Sequence, residues 1–112
     1  MAYTDSLSAL SDPTRRKVFE AVATSPRSVS DLAQALPVSR PAVSQHLKVL
    51  SDAGLVQVKA QGTRRIYSLR AEGLRDLRAY LDQFWDAALA GFATEVQRLE
   101  GEGNDGPDYQ DN

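Results

Sequence analysis

The sequence predicts a mainly α-helical chain carrying one β-hairpin, with its elements in the order α-α-α-α-β-β-α. Three observations lead there. Asp12-Pro13 and Ser39-Arg40-Pro41 each set a capping side chain before a proline in the first helical turn, where the missing N–H costs nothing. After Gly54 the apolar spacing changes from the three-and-four step of a helix to the shorter step of a strand. From Leu74 it changes back. A chain of 112 residues has room for one domain, since domains typically hold about 100–150 residues. That domain is expected over residues 1–100, followed by a disordered acidic tail over 101–112.

The elements follow in order. A short first helix is expected from Thr4 to Leu10, with Leu7 and Leu10 on one face. The second runs from Pro13 to about Thr24, buries Val18, Phe19 and Val22, and is ended by Ser25-Pro26. Ser30 reads as the cap of a third helix, Asp31 to Leu36, which Pro37 closes. Ser39 caps a fourth helix that stops near Ala53-Gly54, with the glycine as its C-cap. Leu55, Val56 and Val58 begin a strand, Arg65 to Arg70 form its partner, and Gln61-Gly62-Thr63 is the turn between them. The last helix starts near Glu72 or Leu74 and places Leu74, Leu77, Leu81, Phe84, Ala88, Phe92, Val96 and Leu99 at spacings of three or four. About 26 residues at 1.5 Å each make it roughly 39 Å long. Tyr80, Trp85 and Leu89 widen its apolar stripe beyond what one small domain has to cover.

Composition removes several function classes. There is no cysteine and one histidine, His46, so disulfides, thiolate metal sites and Cys–His chemistry are out. No phosphate-binding glycine loop and no defensible pair of carboxylates remain to support an enzyme. No apolar run approaches the ~20 residues of a membrane span, and Met1 to Asp5 lacks the basic and apolar segments of a secretory signal. A cytoplasmic protein with no membrane partner and no cofactor is expected. The net charge of −2 conceals an asymmetry. Five acids and no base lie from Glu100 to Asn112, whereas Arg40 to Arg70 holds six bases against Asp52 alone, a local charge of +5. Such a stretch points to a polyanionic partner.

The geometry of that stretch makes the partner double-stranded DNA. Asp31 to Leu36, the turn Pro37-Val38-Ser39 and the helix from Arg40 to Leu50 form a helix-turn-helix, whose second helix fits the major groove. Val43, Leu47 and Leu50 recur at i, i+4 and i+7 and face inward. Ser39, Arg40, Pro41, Ser44, Gln45 and Lys48 are then left outward or on the flanks. Arg40 suits guanine or phosphate, Gln45 suits adenine, and Ser44 reaches either a base or the backbone. The hairpin becomes a wing whose Lys59, Thr63, Arg64, Arg65 and Tyr67 are placed for phosphate or the adjacent minor groove. His46 reads as a helix residue that hydrogen-bonds within the domain or to a DNA phosphate. Arg15, Arg16 and Lys17 read equally as backbone contacts, a solvated face or a partner for Glu20.

Four strings in this order resemble the ArsR/SmtB transcriptional regulators: Leu10 to Arg16 (LSDPTRR), Val43 to Leu50 (VSQHLKVL), Ala53 to Val56 (AGLV) and Gly62 to Leu69 (GTRRIYSL). The resemblance covers about residues 4–99. It implies a winged helix-turn-helix homodimer that represses by occupying a promoter palindrome. Its first and last helices would form the dimer interface, with Leu7, Leu10, Leu77, Leu81, Phe84, Trp85, Ala88, Phe92 and Val96 contributing. The two recognition helices would then sit about 34 Å apart, one turn of DNA. Metal-sensing members carry ELCVCDL leading into the third helix, with both cysteines as ligands. Aligned on Asp31-Leu32-Ala33, this chain has Ser28 and Ser30 at those two positions, and a serine hydroxyl is a poor ligand for such metals. The other family site uses histidines and carboxylates on the last helix, which here offers only Asp76, Asp82, Asp86 and Glu95. No metal site of either type is expected. The signal is left open: a small-molecule effector between the terminal helices, an unidentified protein partner, or autoregulation alone. The alternative reading is a winged-helix interaction module, or an activator, that senses through such a partner.

Overall fold

The computed structural model describes residues 2–102, and the side chains of residues 5–101. The helices are α1 (Ala2–Ala9), α2 (Pro13–Thr24), α3 (Val29–Ala35), α4 (Arg40–Asp52) and α5 (Ala71–Glu102), with strands β1 (Val56–Gln61) and β2 (Arg64–Leu69) between α4 and α5. The element order is the expected one. The chain divides between Arg78 and Ala79 into two compact units.

In the first unit α4 packs against α2 and α3. Val18, Leu32, Val43, Leu47, Leu50 and Leu55 are completely buried, and Val22 and Val56 nearly so. Burying each such side chain contributes about 1.5–3 kcal/mol relative to leaving it in water. Local signals set the starts. Asp12 accepts the Arg15 N–H at 2.8 Å as N-cap of α2, and Ser39 accepts from Ala42 at 3.3 Å as N-cap of α4. Arg15 Nε and Arg16 Nη1 donate to the Ala9 and Leu10 carbonyls at 2.6 and 2.7 Å. These two arginines therefore tie down the end of α1. The Ser6 hydroxyl donates to the Ala53 carbonyl at 3.4 Å and joins α1 to the end of α4.

Several boundaries differ from expectation for identifiable reasons. The cap of α3 is Ser28 rather than Ser30: its Oγ accepts from the Asp31 N–H at 3.1 Å while Asp31 Oδ2 accepts from the Ser28 N–H at 3.0 Å. That reciprocal box starts the helix at Val29 and ends it at Ala35. The hairpin turn is two residues, Gly62-Thr63, because Gln61 pairs with Arg64, and Gly62 takes φ +62°. Strand β2 accordingly runs from Arg64 to Leu69 instead of Arg65 to Arg70. Helix α1 covers Ala2–Ala9 rather than Thr4–Leu10. Helix α5 continues through Gly101 to Glu102, and the rest of the expected tail lies outside the described residues.

One pairing has no counterpart in the sequence reading. Arg27 bridges Tyr67 through two main-chain bonds, N–H to carbonyl at 2.9 and 2.8 Å. The residue just before the α3 cap thereby becomes a one-residue third strand beside β2. The second unit consists, in its described part, of α5 from Ala79 onward. There Leu81, Phe84, Trp85, Ala88, Leu89, Phe92 and Leu99 are exposed and Val96 is half-buried. Among the described residues no helix is long and apolar enough to cross a membrane.

The start of α5 meets the end of α4 backbone to backbone. Gly54 closes α4 at φ +79°, and a Cβ on Gly73 would fall 1.9 Å from the Gly54 carbonyl oxygen. Gly73→Ala is expected to lower stability by at least the ~1–3 kcal/mol typical of overpacking, read as a lower urea midpoint; an unchanged midpoint would show that the joint yields.

Candidate nucleic-acid interface

The site begins with the two sides of α4. With Val43, Leu47 and Leu50 fully buried, the opposite side presents Arg40, Pro41, Ser44, Gln45 and Lys48 to solvent. Ser39, at the N-cap, is exposed as well. His46 lies on the flank, half-buried, and its Nδ1 is buried without a hydrogen-bond partner among the described residues. Lys48 Nζ stands 3.0 Å from Asp52 Oδ2 one turn further along, with both side chains about two-thirds exposed.

The hairpin supplies the second side. Successive strand residues point to opposite faces, and the register puts Val58 opposite Tyr67 and Ala60 opposite Arg65 on one face. Lys59 opposite Ile66 and Gln61 opposite Arg64 occupy the other. Val58, Arg65 and Tyr67 meet α4, and with Ser44, Leu47, Lys48, Ser51 and Asp52 they line a groove of about 260 Å³. Ser51 and Asp52 belong to this groove although the sequence reading left them out. Their position seven and eight residues after Ser44, two helical turns on, is the signal that marks them.

The six bases from Arg40 to Arg70 therefore do different things. Arg70 donates to the Gly54 carbonyl at 3.3 Å and pairs with Glu72 at 3.1 Å, fastening the start of α5. Arg64 reaches α3, where Nη2 lies 2.8 Å from Ser28 Oγ and 3.1 Å from Asp31 Oδ2. Arg40, Lys59 and Arg65 are in no ion pair among the described residues, and Thr63 is exposed at the turn. The groove therefore joins the cations Lys48 and Arg65 with the acid Asp52, hydroxyls of serine and tyrosine, and an apolar floor.

Of the apolar residues singled out from the spacing, Leu7, Leu81, Phe84, Trp85, Ala88 and Phe92 are exposed, Phe92 to 68%. Leu10 is half-buried and packs on the core. Leu77, grouped with them by spacing, is only 6% exposed and turns into its own unit. Tyr80 and Phe84 make an edge-to-face pair with ring centres 4.9 Å apart.

Known proteins share both the sequence and the fold. Residues 12–58 match the family described as bacterial regulatory protein, arsR family. The HTH-type transcriptional regulator Rv2034 of Mycobacterium tuberculosis is 54% identical over 97 residues, 87% of this chain and 88% of that protein. The chain belongs to the ArsR family. This ArsR-family protein is a DNA-binding transcriptional regulator with a winged helix-turn-helix, and it is not an enzyme. An ArsR-like transcriptional regulator from Rhodococcus sp. RHA1 superimposes with a TM-score of 0.73 at 26% identity, over 94% of this chain and 95% of that one. The homodimeric winged helix-turn-helix domain of Mb0332 from Mycobacterium bovis, also a possible ArsR-family regulator, gives 0.62 at 26% identity, over 79% of this chain and 82% of that one.

In the ArsR-family chain described here, Asp31 is held below the ordinary aspartate range. The Ser28 backbone N–H is the main cause, followed by the Ser28 side chain, with Arg64 adding a smaller charge effect. A depressed carboxylate contributes stability above its unfolded value and loses it as pH falls through the folded one. The α3 start should therefore hold through neutral and mildly acidic pH and loosen only below about pH 4. Amide shifts of Ser28 and Asp31 followed by NMR against pH check this; a midpoint above the ordinary aspartate value would contradict it.

Proposed function

We propose that the protein is a homodimeric repressor that occupies a palindromic promoter site and does not itself sense a metal. The observation that carries the DNA part is the convergence of Ser44 and Lys48 from α4 with Arg65 and Tyr67 from β2 on one groove. In this reading Ser39, Arg40, Pro41, Ser44 and Gln45 face base edges and the nearest phosphates, with His46 behind them on the helix flank. Lys48, Lys59, Thr63, Arg65 and Tyr67 take the backbone, and Lys48 exchanges Asp52 for a phosphate when DNA arrives.

Homodimerisation is supported by the row of exposed apolar side chains on α5 and by Leu7 on α1, and by the homodimeric Mb0332 domain. A second copy of the chain can cover such side chains without a new partner. The reading that no metal is sensed rests on Ser28. Its hydroxyl caps α3 and also accepts from Arg64, so it stands as a structural acceptor where a metal-sensing relative has a thiolate.

Fluorescence anisotropy on the duplex upstream of the gene, against a scrambled duplex in a salt series, tests the reading. Wild type should discriminate between the two. Lys48→Ala with Arg65→Ala should weaken both complexes and flatten log K against log salt by about 0.9 for each phosphate contact removed; an unchanged slope would remove the groove from the interface. Trp85→Glu should convert a sedimenting dimer to monomer, since a buried interface tryptophan typically contributes about 2 kcal/mol or more. A wild-type monomer that sediments with a stoichiometric foreign protein would instead assign the α5 face to that protein.

A further inference from the structure

The two neighbouring arginines that follow the hairpin turn are separated by strand parity, and they meet different elements. Arg65 shares a groove with α4. Arg64, on the other face, reaches the first turn of α3, where one nitrogen is shared between Ser28 Oγ at 2.8 Å and Asp31 Oδ2 at 3.1 Å. Its acceptors are not loose surface groups. Ser28 is 5% exposed, and both residues are already fixed to each other by the reciprocal cap.

We infer that Arg64 is a positioning residue that clasps the wing to helix α3 and so sets Arg65 and Tyr67 against the recognition helix, rather than a cation that meets phosphate. The inference deepens the DNA-binding reading above and rests on it for its functional consequence. Its mechanical basis lies in where β2 is held. The main chain of Tyr67 is bonded to Arg27, and the side chain of Arg64 is bonded three residues nearer the turn, about 10 Å away at 3.3 Å per residue. A strand held at one point can swing about it, whereas a strand held at two points along its length has a fixed direction. Removal of the Arg64 contact leaves the Tyr67 bridge and the packing at the base of the hairpin, and the end that carries Lys59, Thr63 and Arg65 is loosened.

The two roles predict opposite signs for one substitution. Asp31→Asn keeps an oxygen that accepts from the Ser28 N–H, so α3 retains its cap, but it takes away the charge that holds Arg64. With a clasp, Asp31→Asn weakens binding to the upstream duplex by about two- to fivefold, the scale of an exposed ion pair, and leaves the salt slope unchanged. Arg64→Ala does the same, and the double variant is no worse than either single one. With a phosphate contact, Asp31→Asn tightens binding by freeing Arg64 and removing an acid near DNA, and Arg64→Ala flattens the slope by about 0.9. Unchanged or tighter binding by Asp31→Asn overturns the clasp.

Amide hydrogen exchange in the DNA-free protein gives a second, independent readout. Faster exchange at residues 62–65 in Asp31→Asn, with the amides of α4 held at wild-type values, supports the clasp. Wild-type rates at residues 62–65 overturn it. If wild type fails to tell the upstream duplex from the scrambled one, the DNA-binding reading fails in its operator, and the exchange data still decide the clasp.

Discussion

Burial of Val43, Leu47 and Leu50 along one side of α4 is the constraint on which the interface depends. A helix thirteen residues long has two sides to allot, and α2 and α3 take one of them completely. The other is left wet by elimination, and its composition is polar, basic and free of large apolar groups. The same packing that supplies most of the first unit's hydrophobic stabilisation therefore selects which side chains face outward. His46 shows the limit of the division. It falls between the two sides, half-buried, with one ring nitrogen enclosed and without a hydrogen-bond partner among the described residues.

The hairpin solves a different problem by a different rule. In a helix, side chains three or four apart share a side; in a strand, adjacent side chains part company. Strand β2 uses that alternation to serve two elements from consecutive residues, with Arg65 facing α4 and Arg64 reaching α3. Arg70, just past the strand, binds the Gly54 carbonyl and Glu72. A stretch of high positive charge is thus divided between holding the fold and standing open to solvent, and charge counting alone does not separate the two uses.

Much of this was legible where the deciding atoms are close in sequence. Asp12-Pro13, Ser39 with Pro41, and Gly54 each fix a helix end within a few residues, and the apolar steps along α4 and α5 located both helices. The α3 cap was missed although its signal is local: Ser28 stands three residues before Asp31, the spacing of a capping box, whereas Ser30 stands next to it. Other features were out of reach for a physical reason. The pairing of Arg27 with Tyr67 joins residues 40 apart through main-chain atoms, which leave no side-chain pattern. The separation of Arg64 from Arg65 depends on a turn one residue shorter than expected, which settles the register. The loss of Leu77 from the exposed stripe depends on the packing at the start of α5, and spacing alone does not report that.

The bridge between Arg27 and Tyr67 has a further consequence for how such a protein can change over time. Both of its bonds are made by peptide groups, so the anchor that holds the sheet is indifferent to which side chains stand at those positions. The Tyr67 ring lines the groove against α4 while its own backbone fastens the strand. Scaffold and groove lining are written in different atoms of one residue. A lineage can therefore exchange the ring for another group, and with it the shape and chemistry of the groove, without first having to rebuild the sheet that presents it.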